Sequence, residues 1–83
     1  MTASEVDHAA VRERFGLPQE QIGSVNDPRT HEEHGVRWNE KWIYRGEDGR
    51  TIERVVLWNR YDLAGVFRLA ADGKAEPEAI PEG

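Results

Sequence analysis

Trp38-Asn39-Glu40-Lys41-Trp42-Ile43-Tyr44-Arg45-Gly46-Glu47-Asp48-Gly49-Arg50-Thr51-Ile52-Glu53-Arg54-Val55-Val56-Leu57-Trp58 decides the fold of this chain. It contains every tryptophan and Tyr44, and extending it from Val36 to Leu69 adds the other tyrosine, Tyr61, and Phe67. Apolar Val36, Trp38, Trp42 and Tyr44 are interleaved with Arg37, Asn39, Lys41 and Arg45, the alternation of a strand with one face turned inward. Gly46-Glu47-Asp48-Gly49 then reads as a type I turn followed by a glycine at positive φ, which closes an antiparallel hairpin through a bulge. With Gly46 and Arg50 flanking that loop, Trp38 is expected opposite Trp58, Glu40 opposite Val56, Trp42 opposite Arg54 and Tyr44 opposite Ile52. One face would gather Val36, Trp38, Trp42, Tyr44, Ile52, Val56 and Trp58. A two-residue Asp48-Gly49 turn would instead flip the second strand and set Val55 and Leu57 beside the tryptophans. The gathering of aromatics favours the bulged turn.

The same plan continues downstream. Ala64-Gly65-Val66-Phe67-Arg68-Leu69 reads as a strand, and Ala71-Asp72-Gly73 repeats the turn signal. Residues 74–80 read as a weak edge strand, since Pro77 is tolerated only at an edge or an end. Arg68 is expected opposite Glu76, a favourable cross-strand pair. Upstream, Thr2-Ala3-Ser4-Glu5 fits a capping box, with Ser4-Glu5-Val6-Asp7 as an alternative start. A helix over about residues 3–15 would end at Gly16, with Pro18 blocking its continuation. Its apolar side is thin (Val6, Ala10, Val11, Phe15), so it needs a sheet to lie on. Residues 18–34 are polar: Pro18-Gln19-Glu20-Gln21-Ile22 could make one helical turn, and Gly23-Ser24-Val25-Asn26-Asp27-Pro28 is dense in turn formers. That is long for a structureless loop, so a functional loop or an unrecognised short element is expected there. The fold class is therefore α+β: one domain, with a three- to four-stranded antiparallel β-meander over about residues 35–80, one N-terminal helix packed on one face, and a frayed tail at 81–83.

Composition bounds the chemistry. Eighty-three residues allow one domain, and the absence of cysteine excludes disulfides, thiolate metal sites and cysteine nucleophiles. The net charge of −5 is uneven. Residues 1–34 hold three basic and seven acidic side chains, residues 35–69 seven and five, and residues 70–83 one and four. Overall acidity argues against nucleic acid as a partner, which demands clustered cations. No apolar run approaches the ~20 residues of a membrane span. The acidic N-terminal residues lack the basic and apolar regions of a secretory signal, so a cytoplasmic protein is expected.

Three constellations could carry function. Trp38, Trp42 and Trp58, with Tyr44 beside them, could form an aromatic sheet face that binds a protein partner or a second copy. This is the leading expectation: a small non-catalytic binding or accessory domain, with no cofactor. The opposite face, around Arg37, Lys41 and Arg45, is its basic counterpart. Glu40 with Arg54, Tyr44 and Tyr61 could instead line a small-molecule pocket, because a carboxylate among aromatics either pairs or titrates abnormally. His31-Glu32-Glu33-His34 would place two imidazoles on one side of a helical turn, a weak metal signal to which Asp27 or Glu33 could add a carboxylate and His8 a third ligand brought in by the fold.

Overall fold

The computed structural model describes residues 8–78. The chain forms α1 (His8–Phe15) and seven strands: β1 (Glu20–Gly23), β2 (His31–Glu33), β3 (Val36–Trp38), β4 (Glu40–Arg45), β5 (Ile52–Asn59), β6 (Asp62–Leu69) and β7 (Ala75–Pro77). Five strands make one antiparallel sheet in the order β1-β4-β5-β6-β7, and β2 pairs with β3 in a separate ribbon. The α+β class is as expected, but the strand count is five plus two rather than three to four.

Two of the additional strands, β1 and β2, lie in what reads as polar loop, and the third, β3, is the start of the expected first strand, split from β4 at Asn39. β1 turns back along β4, with Gln21 opposite Trp42 and Gly23 opposite Glu40. β2 and β3 are joined by His34-Gly35, both at positive φ (55° and 83°), the geometry of a tight two-residue hairpin turn. Gly23 lies so close to the Asn39 carbonyl that an added Cβ would come within 2.1 Å of that oxygen.

The hairpin register is corrected by two single-residue irregularities. The Gly46–Gly49 turn forms as expected, with Gly49 at φ +70° and its N–H donating to the Gly46 carbonyl at 3.0 Å. The closing bond, however, runs from Gly46 N–H to the Thr51 carbonyl, one residue beyond Arg50. A bulge between Tyr44 and Arg45 then adds a second offset. Glu40 therefore faces Trp58, Trp42 faces Val56 and Tyr44 faces Arg54. A shift of two keeps Trp42, Tyr44, Val56 and Trp58 on one face but moves Ile52 to the other. Trp38 also changes side, because the chain bends at Asn39 and β3 leaves the main sheet.

The main sheet is consequently buried on both faces. One face carries Trp42, Tyr44, Val56, Trp58 and Val66, covered by Val11 and Phe15 of α1. The other carries Ile43, Val55, Leu57 and Phe67, covered by Trp38 and Val36 of the β2–β3 ribbon. This explains the unbroken run Val55-Val56-Leu57-Trp58, all of it buried: a strand sandwiched between two layers has no solvent side to alternate with.

Other expectations hold. Arg68 faces Glu76 across β6 and β7, and Gly73 has φ +88°. The helix ends where Gly16 N–H donates to the Arg12 carbonyl at 2.7 Å, a left-handed C-terminal cap. The proposed N-caps and the tail at 81–83 lie outside the described residues, and no helix among those described is long and apolar enough to cross a membrane.

Candidate functional site

Asn39 is the joint that lets the chain pass from ribbon to sheet. It is buried, and its backbone N–H and both ends of its side-chain amide are used. Its backbone N–H donates to the Trp58 carbonyl, its amide donates to the carbonyls of Val25 and Asp27, and its side-chain oxygen accepts from Arg60 N–H. The next residue, Glu40, is fixed by that joint and points to the helix side of the sheet.

Glu40 is only 3% exposed. Oε1 lies 2.9 Å from His8 Nε2, while Oε2 accepts from Gln21 Nε2 and Trp42 Nε1, each at 2.8 Å. The His8 ring stacks on Trp58 at 3.7 Å and 13° and meets Trp42 edge-on at 5.3 Å. A buried carboxylate is costly unless fully hydrogen-bonded, and three donors from three elements meet that demand. The cluster ties α1, β1 and β4 together.

The pocket expected around Glu40 is not assembled. Arg54 turns to the C-terminal side, where its Nε and Nη2 donate to the two oxygens of Glu78 at 2.7 and 3.1 Å. Its guanidinium also covers the Phe15 ring at 4.1 Å. Those hydrogen bonds hold the Glu78 carboxyl below its usual range. Tyr44 donates its hydroxyl to the Gly16 carbonyl at 2.8 Å, and burial pushes its pKa up. Tyr61 stands at the β5–β6 turn with its ring 70% exposed.

All three tryptophans are buried inside the chain: Trp38 on the ribbon side, Trp42 and Trp58 on the helix side. The indole N–H groups of Trp38 and Trp58 have no hydrogen-bond partner among the described residues, at a cost of about 1–3 kcal/mol each. His31 and His34 lie on a β-hairpin rather than a helical turn, where they pack on Trp38 and Phe67 respectively. No group of three or more metal-ligating side chains occurs among the described residues. The basic face is largely neutralised: Lys41 pairs with Glu33 and Arg45 with Glu20.

What stays open is one edge of the sheet. Every residue of β1 is exposed, and β4 is its only partner among the described residues. Two of the three exposed large apolar side chains, Leu17 (74%) and Ile22 (40%), lie at this edge. At its N-terminal end a cleft of about 700 Å³ opens between Gln19 and the β4–β5 turn. The helical turn expected over Pro18 to Ile22 is instead this edge strand, the unrecognised short element of the polar segment, masked in the sequence because Gly23 and Ser24 read as a turn. Sequence reasoning also missed His8 and Gln21 as partners of Glu40, since nothing local links residues so far apart in the chain. Compared with protein-family models, curated proteins and solved structures, the chain matches none.

Proposed function

We propose that the chain is a small non-catalytic binding domain that acts on a protein partner, or on a second copy of itself, through its open sheet edge. The distribution of apolar surface supports this reading. The aromatic side chains that suggest an interface in the sequence are used internally, so they stiffen the sheet rather than meet a partner. The carrying observation is β1: an exposed strand that carries Ile22, follows Leu17, and has no partner on its outer side among the described residues. An unpaired edge offers a row of backbone donors and acceptors to another extended chain. The opposite edge is less suited, because β7 is three residues long and ends at Pro77, which has no N–H to give.

The small-molecule alternative around Glu40, Arg54 and Tyr61 has less to stand on. Glu40 is committed to three internal donors and Arg54 to Glu78. The test is selection of binders from a displayed library of random peptides, followed by amide chemical-shift mapping on the isotope-labelled protein. The edge reading expects selected peptides to perturb residues 17–23. Perturbation centred on His8, Trp42 and Trp58, with β1 unchanged, would transfer the function to the Glu40 cluster.

A further inference from the structure

Resting on the edge-binding reading, we infer that β1 receives an extended protein segment as an added antiparallel strand, and that this segment carries a lysine or arginine near its C-terminal end. The cleft at the N-terminal end of β1 supplies the reason. Gln19 is fixed there by two bonds to β4: its N–H donates to the Ile43 carbonyl, and its side-chain oxygen accepts from Arg45 N–H. Across from it the cleft is walled by Arg45, Glu47, Asp48 and Glu53.

The charges in this wall are not equally engaged. Arg45 donates to Glu20 and to the Arg50 carbonyl. Asp48 accepts from the Thr51 hydroxyl and from the backbone N–H groups of Arg50 and Thr51. Glu47 and Glu53 are exposed, and neither joins an ion pair among the described residues. The cleft thus presents two unneutralised carboxylates across from Gln19, the residue that leads into β1, in a chain whose net charge is −5. A cation is the complementary group.

Direction follows from topology. The whole sheet is antiparallel. An antiparallel addition sets the C-terminal end of the incoming strand against the N-terminal end of β1, where the cleft lies. Four residues of β1 span about 13 Å, enough to pair with a segment of roughly four to six residues. An apolar residue on that segment would cover Ile22. A second copy of this chain fits poorly, because Glu20-Gln21-Ile22-Gly23 brings no cation to the cleft.

The experiment uses the full chain and short fluorescein-labelled peptides that alternate valine and threonine. One peptide carries a lysine near its C-terminus, one a lysine near its N-terminus, and one a glutamate in the C-terminal position. The C-terminal lysine peptide is expected to bind roughly 1.5- to 5-fold more tightly than the glutamate peptide at low salt, the range of exposed ion pairs. That preference should vanish in the Glu47→Gln, Glu53→Gln double variant and in about 1 M salt, where the screening length is about 3 Å. Unchanged thermal unfolding of the double variant would show that the loss is not a folding defect. Equal binding of lysine and glutamate peptides, with β1 amide shifts in both, would overturn the cation and leave the edge reading standing. Preference for the N-terminal lysine would overturn the strand direction. Absence of β1 shifts at millimolar peptide would overturn both readings, and a concentration-dependent dimer in sedimentation would then assign the edge to a second copy.

Discussion

Replacing His8 with alanine tests how the helix is held to the sheet. Three consequences can be worked from the geometry. The Glu40 carboxylate loses its Oε1 partner at 2.9 Å, and hydrogen bonds to charged groups contribute about 1.5–3 kcal/mol. The imidazole stacked on Trp58 at 3.7 Å is removed, worth about 0.5–1.5 kcal/mol. Against this, the His8 side chain is 20% exposed, so water can reach the vacated oxygen, while Gln21 and Trp42 still hold Oε2. The expected loss is therefore about 2–3 kcal/mol, below the roughly 3–5 kcal/mol of a fully uncompensated buried charge. For a domain of this size that lowers the unfolding midpoint by about 10–20 °C. The assay is urea unfolding followed by circular dichroism, with His8→Ala, Glu40→Gln and the double variant forming a cycle. A coupling of about 1 kcal/mol or more is expected. A His8→Ala loss under about 0.5 kcal/mol with no coupling would refute the argument that the His8 hydrogen bond holds Glu40.

The indoles separate by their hydrogen bonds: Trp42→Phe removes a bonded donor from Glu40, whereas Trp38→Phe removes an unpaired one. In chemical denaturation Trp42→Phe should cost about 1–2 kcal/mol more than Trp38→Phe. Gly23→Ala forces a Cβ toward the Asn39 oxygen at φ +74°, while Gly49→Ala at φ +70° meets open space. The first should cost more than about 3 kcal/mol and the second about 1–2 kcal/mol, as thermal unfolding can measure. Acid sensitivity follows from three carboxylates with depressed pKa values: Asp48, lowered to about 2 by Thr51 and backbone hydrogen bonds, Glu78, lowered by Arg54, and Asp27, lowered by hydrogen bonds from Arg29. Each favours the folded state above its ordinary value and ceases to do so as pH falls through its folded value. The melting temperature should therefore drop between about pH 4.5 and 2, with a flatter acid limb in Asp48→Asn and Glu78→Gln variants.

Local signals in the sequence were reliable where a turn or a cap sets its own geometry. Gly49, Gly73 and the end of α1 at Gly16 needed only neighbouring residues to be read. The pairing of Arg68 with Glu76 followed from the second turn. Register failed because it sums small offsets: one extra residue in the Gly46–Thr51 closure and one bulge at Tyr44. Alternation was also the wrong template for β5. Val55-Val56-Leu57-Trp58 is a continuous apolar run, the mark of a strand covered on both sides. Read that way, it calls for a second covering layer, and residues 31–38 supply it. The Glu40 cluster was half legible, since a carboxylate in phase with tryptophans must find donors. That His8 and Gln21 supply them depends on how α1 and β1 dock, which no local pattern encodes.

Amide hydrogen exchange with the C-terminal lysine peptide tests the binding proposal most directly. The outer N–H groups of β1 should exchange quickly in the free protein, as unpaired edge donors do. With peptide in excess, the outward-facing amides among residues 20–23 should slow at least about tenfold while α1 and β7 stay unchanged, since only a strand hydrogen-bonded along β1 protects those amides. Protection appearing on α1 or β7, with β1 exchanging as before, would contradict the account.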